Sequence, residues 1–158
     1  TWSCLPISSF GVTLANRPIK EIIVHCTATP EGKNLTVEQI RRDHILNNHW
    51  ADIAYHYVID LNGVIFNGRN VNKIGAHCNG HNTYSIGVAY VGGLENKPNT
   101  PYAKLKAKDT RNDKQKKALV KLLKDLRRLY PKAKIYGHRD FAAKECPSFD
   151  AKEEYKSI

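Results

Sequence analysis

Residues 20–26 read KEIIVHC, a β-branched run that suits a pleated, buried strand better than a helix surface. Period-two alternation then puts Ile23 and His25 on one face and Ile22, Val24 and Cys26 on the other. A second apolar run, YSIGVAYVGG at 84–93, reads as another strand ending in glycines. AYHYVID at 54–60 alternates and continues into LNGVIFNGR, with Asn62-Gly63 as a hairpin turn. AKIYGH is a last short strand ending at His138.

Helices are marked by their starts. Thr36 with Gln39 three residues later is a capping-box pattern, followed by Val37, Ile40 and His44 on one inner face. Asn112 with Gln115 marks a second start. Leu119, Leu122, Leu123, Leu126 and Leu129 then form an apolar stripe that Pro131 ends. The stretch LENKPNTPYAKLKAKDTR reads as a polar surface loop. Residues 1–19, with Pro6, Gly11 and Pro18, read as an N-terminal arm. Strands interspersed with helices, and no internal repeat, predict one α/β or α+β domain with helices packed on a sheet.

Bulk composition narrows the function classes. The 158 residues carry a formal net charge of +10, which points to polyanionic surroundings or simply to a solvated basic surface. Lys116, Lys117, Lys121, Lys124, Arg127 and Arg128 surround the leucine stripe. They lack the interleaved aromatics of single-strand binders, so no nucleic-acid partner is expected. No apolar run approaches eighteen residues, so no membrane span is expected. With Thr1 first and no Met, the chain is expected to be a processed or trimmed form, and no export signal is visible.

Four cysteines, at 4, 26, 78 and 146, include no C-x-x-C pair, which argues against a four-thiolate zinc site. His25 and His138 both sit at strand ends, and Cys146 follows eight residues after His138 in KECPSFD. Strand ends on one sheet edge commonly converge on a site. Two imidazoles and a thiolate suit zinc and leave a fourth position for water. The competing reading is a core histidine and a buried thiol. A cysteine–histidine dyad is a third, but it leaves the second strand-end histidine unexplained. Tyr55 and Lys144 could steady an oxyanion or orient a water.

Four motifs in order, IIVHCTAT, AYHYVID with LNG, IGAHCNGHNTYSIGVAYVGG and YGHRDFAAKECPSFD, resemble the zinc-dependent N-acetylmuramoyl-L-alanine amidases of the bacteriophage lysozyme type. That family shares its fold with peptidoglycan-recognition proteins. The resemblance spans about residues 20–150. It implies a single α/β domain over 20–158, with a mixed central sheet flanked by helices and zinc in a surface groove. It implies His25, His138 and Cys146 as ligands of one Zn2+, Tyr55 and Lys144 as catalytic residues, and His77 and Asn82 as substrate-binding residues of the groove. The implied reaction is hydrolysis of the amide between N-acetylmuramic acid and L-alanine, by a monomer acting at the cell wall. Peptidoglycan and muropeptides are the implied partners, with anionic wall polymers as a further class. The alternative is a non-catalytic recognition module on the same fold. Such modules typically lack the cysteine ligand. Cys26 and Cys78 adjoin proposed groove residues and are read either as a disulfide or as two small buried thiols.

Overall fold

The computed structural model describes residues 12–158; Cys4 and residues 1–11 of the expected arm lie outside them. In chain order the elements are β1 (Glu21–Cys26), β2 (Thr29–Pro30), α1 (Val37–Leu46), β3 (Tyr57–Ile59), β4 (Ile65–Asn67), β5 (Ser85–Tyr90), β6 (Gly93–Leu94), α2 (Asp113–Leu129), β7 (Lys134–Gly137) and α3 (Ala151–Glu154). The main sheet runs β4-β3-β5-β1-β7, and β2 pairs with β6 in a separate ribbon. β1 pairs in parallel with β5 from Glu21↔Ser85 to Cys26↔Tyr90, and in parallel with β7 on its other side. β4 alone runs antiparallel, because a tight turn with Leu61 and Asn62 at its centre, closed by the Gly63 amide on the Asp60 carbonyl at 3.0 Å, joins it to β3. Gly63 takes a φ of +75°, and Asp60 Oδ1 accepts the Asn62 and Val64 amides.

The two sheet faces do different work. Ile22, Val24 and Cys26 of β1 join Ile86, Val88 and Tyr90 of β5 in one core. The stripe of α2 closes it, with Leu119, Leu122, Leu123 and Leu126 fully buried and Leu129 packed at its margin. Each such side chain contributes about 1.5–3 kcal/mol of burial. On the other face, Val37 and Ile40 of α1 pack with Ile53, Val58 and Val91 in a smaller core. That core covers only part of the face, and His25 lies on the remainder. Both helices start at the expected capping boxes, Thr36 with Gln39 and Asn112 with Gln115.

Three segments differ in detail from expectation. The strand expected over 54–60 is regular only at Tyr57–Ile59; before it, the Ala54 carbonyl bonds the Ala76 amide and the His56 amide bonds the Gly87 carbonyl. The last strand ends at Gly137, and His138 opens a short 3-10 turn whose Asp140 carboxylate accepts the Gly137 amide. Residues 12–19 include Ala15 and Ile19, both buried in the larger core. Arg17 reaches from there to the Val71 and Ser85 carbonyls.

The polar loop after β6 ends in a buried cation. The Arg111 side chain is 2% exposed and lies 2.8 Å from Asp109 and 2.7 Å from Glu154. Its guanidinium stacks 3.3 Å from the Phe149 ring centroid and donates to the Tyr155 hydroxyl at 2.8 Å. Loop, C-terminal helix and core are thereby tied together. Burial opposes ionisation of Asp109, but the Arg111 hydrogen bonds and charge outweigh it and hold the carboxyl below its usual range. Hydrogen bonding to Arg111 does the same for Glu154. Depressed carboxylates stabilise the fold above their unfolded pKa, and that contribution disappears as pH falls through the folded values. Arg111→Met is therefore expected to lose about 1–2 kcal/mol at neutral pH, because Asp109 and Glu154 remain partly solvated once the guanidinium is gone. The gap to the native protein should close as the pH of urea melts is lowered below the carboxylate range. A gap that is the same at every pH would contradict this account.

Candidate active site

The face of β1 left uncovered by α2 presents His25 near the strand's C-terminal end, 1% exposed. β7 is its parallel neighbour, so the turn after it delivers His138 alongside, and the two rings lie 4.6 Å apart between centroids. Cys146 arrives on the following loop, which several bonds hold in place. The Arg139 amide donates to the Cys146 carbonyl, the Tyr90 hydroxyl to the Pro147 carbonyl at 2.7 Å and Ser148 Oγ to the Gly93 carbonyl at 2.9 Å. As a result one ligand atom each from His25, His138 and Cys146 lies within 4.8 Å of the others. Cys146 Sγ is 3.8 Å from His25 Nδ1. Tetrahedral zinc with one nitrogen and one sulfur ligand spaces those atoms at about 3.5 Å, so the donor set fits such an ion.

These three residues border a groove of about 810 Å³. Tyr55 and Lys144 border it as well. The Tyr55 ring lies 5.3 Å from the His25 ring, and its hydroxyl donates to the Cys26 carbonyl at 3.4 Å. Lys144 is exposed on the same loop as Cys146. His77 reaches the groove too, with its Nδ1 2.8 Å from His25 Nε2. Asn82 is not among the groove-lining residues; its Oδ1 accepts the His77 and Cys78 amides, both at 2.9 Å, and so shapes the loop that carries His77.

Electrostatics favour neutral, metal-competent imidazoles. Burial, then the neighbouring His77 and His138, push His25 well below the usual histidine range. Burial and the nearby Lys144 charge lower His138. Burial raises the Tyr55 phenol well above its usual range, so it stays a hydrogen-bond donor at neutral pH. Sharing a hydrogen bond with the Cys26 thiol, and burial, push the Cys146 thiol up.

Cys26 and Cys78 are both free and buried, so the disulfide reading does not hold and the buried-thiol reading does. The Cys26 side chain lies on the core face, as alternation predicts, yet its backbone amide points at Cys146 Sγ from 3.2 Å. Side-chain alternation carries no signal for that backbone contact. Trp50, Tyr102 and Phe141 belong to no site expected from the sequence, yet all three border the groove. Tyr102 belongs to the polar loop and returns to the rim through a 2.6 Å hydrogen bond to the Ala28 carbonyl.

Comparison with known proteins identifies the family of this fold. A family described as N-acetylmuramoyl-L-alanine amidase matches residues 15–149. The endolysin of Enterobacteria phage K11 is 39% identical over 130 residues, covering 82% of this chain and 81% of that protein. Among solved structures, the N-acetylmuramoyl-L-alanine amidase LysC from Clostridium intestinale superposes with a TM-score of 0.70 at 25% identity, covering 94% of this chain and 90% of LysC. Bumblebee PGRP-SA superposes with a TM-score of 0.71 at 25% identity, over 99% of this chain and 90% of its own. With the mixed sheet, the groove and the three converging donors in place, the chain belongs to the N-acetylmuramoyl-L-alanine amidase family.

Proposed function

We propose that the protein cleaves the amide between N-acetylmuramic acid and L-alanine in peptidoglycan, using one zinc ion held by His25, His138 and Cys146. The observation that carries this reading is the convergence of those three donors at the groove. Zinc at such a site acidifies water and polarises a carbonyl. The chain's own residues supply the rest. Tyr55, kept protonated by burial, is placed to donate a hydrogen bond to oxygen as negative charge develops on the amide. The Lys144 ammonium, at the groove from the Cys146 loop, adds a positive charge on the same side. His77 borders the groove and Asn82 secures its loop; neither is assigned contact with the reacting amide.

A recognition module that binds muropeptide without cutting is the second reading, favoured by the fold shared with PGRP-SA. The presence of Cys146 beside His25 argues for the enzyme. No helix of the described residues is long and apolar enough to cross a membrane. We place the activity at the cell wall, by analogy with the phage endolysins.

Purified cell walls should lose turbidity on treatment and expose new L-alanine amino termini. A chelator should stop this, and added zinc should restore it. Binding without new amino termini in zinc-loaded protein would leave only the recognition reading. Cys146→Ala should lose zinc and activity together, whereas Lys144→Ala and Tyr55→Phe should keep zinc and lose about a hundredfold or more in kcat. Tight zinc binding with full activity in Cys146→Ala would remove the ligand assignment.

The basic surface of α2 suits anionic wall polymers. Lys117, Lys121 and Lys124 are all exposed there, on the side of the sheet away from His25. Reversing the three charges should weaken binding to whole walls at low salt and leave turnover of a soluble muropeptide unchanged. Equal loss of both would assign those lysines to the reaction instead.

A further inference from the structure

His25 uses its two ring nitrogens in different directions. Nδ1 faces Cys146 Sγ, while Nε2 lies 2.8 Å from His77 Nδ1. The chain continues, because His77 Nε2 is 3.1 Å from Ser85 Oγ. All three residues are buried, at 1%, 6% and 0% exposure. We propose that His77 and Ser85 form a hydrogen-bonded relay that positions His25, holding its proton on Nε2 so that the Nδ1 lone pair faces His138 and Cys146. The proposal deepens the metal-site reading above and rests on it for its purpose, but not for its geometry.

The donor count gives the direction of the relay. A neutral imidazole has one N–H and one acceptor nitrogen. If Nδ1 of His25 is to offer a lone pair, the proton must sit on Nε2, and a buried N–H needs an acceptor. His77 Nδ1 supplies it. The His77 proton is then on Nε2, and Ser85 Oγ accepts it. Metal-binding histidines commonly pass their second N–H to a carboxylate or carbonyl, which sets the tautomer and the ring orientation. Here a second imidazole takes that place and introduces no negative charge.

The sheet is shaped around the His77 ring. On the His25 face, β5 presents Ser85, Gly87 and Ala89. A Cβ at Gly87 would lie 2.6 Å from His77 Cγ and Cδ2, and one at Gly75 would lie 2.7 Å from Cδ2. Neither glycine adopts a positive φ, so space and not backbone conformation calls for glycine at both. The ring sits in a slot between them, and Asn82 holds the His77 amide. A ring so confined is fixed on His25 and is not free to swing toward substrate.

Long-range proton–nitrogen NMR correlations on metal-free protein test the relay without zinc. His25 and His77 are both expected as the Nε2–H tautomer. Finding the His25 proton on Nδ1 overturns the proposal. Zinc affinity, measured by competition with a chromophoric chelator, is the second readout. His77→Leu should weaken zinc binding about 10–100-fold. His77→Asn, whose amide oxygen can accept from His25 Nε2, should recover most of it. Gly87→Ala, which pushes on the His77 ring, should resemble His77→Leu. Thermal melts of the metal-free variants identify any that fail to fold, and the native-protein tautomer decides the matter if they do. Unchanged affinity in folded His77→Leu, or no recovery in His77→Asn, also overturns it. If native protein takes up no zinc while His25 still carries its proton on Nε2, the metal-site reading fails and the positioning role stands.

Discussion

The site depends on the parallel pairing of β1 with β5, which buries both strands on both faces. A strand in that position has no solvent to satisfy a polar side chain, so His25 must find its partners inside the protein. Burial keeps it neutral, and a neutral imidazole can both donate and accept. One nitrogen therefore bonds His77 while the other stays directed at Cys146. The same pairing sets Ala89 opposite His25 and puts Gly87 two residues earlier on that face, which leaves room for a second ring. Sheet register thus decides the chemistry available on this face.

Stability and chemistry are divided between the two faces. The leucine stripe of α2 and the Ile22, Val24, Ile86 and Val88 side chains make up the larger core, on the face away from His25. The groove face has only the smaller core under α1. Substitutions at the groove therefore remove little of the burial that holds the sheet together, and the basic outer surface of α2 is free to vary without touching the groove. The Arg111 cluster ties the C-terminal helix to the larger core through Phe149 and Tyr155.

What could be read from the sequence was mostly local. Capping boxes at Thr36 and Asn112, the Asn62-Gly63 turn and the leucine stripe each involve residues a few positions apart, so their patterns are written contiguously. Strand alternation likewise placed His25 and Cys26 on opposite faces. The meeting of His25 with Cys146 spans 121 positions and has no local signature; only the ordered motifs of the family resemblance suggested it. His77 was visible as a residue near the groove, but its bond to His25 was not, because it depends on two glycines from different segments leaving a slot. Tyr102 shows the opposite failure: a polar, proline-containing stretch reads as a solvent loop, although one hydroxyl returns it to the groove rim.

The Cys146 loop explains how one scaffold can serve both cutting and recognition. Its backbone is held by Tyr90, Ser148 and Arg139 through bonds that involve no metal and no thiol. Geometry at position 146 is thus established by the fold before any ion binds, so little of the binding energy goes into ordering the loop. By the same reasoning, the sheet and groove do not require the thiol for their shape. On the proposed assignment, replacing Cys146 would remove a zinc ligand and leave the shape of the groove unchanged. In this chain the cysteine is present, its two histidine partners are held neutral, and a protonated phenol shares the same groove. That combination is the one the proposed hydrolysis calls for.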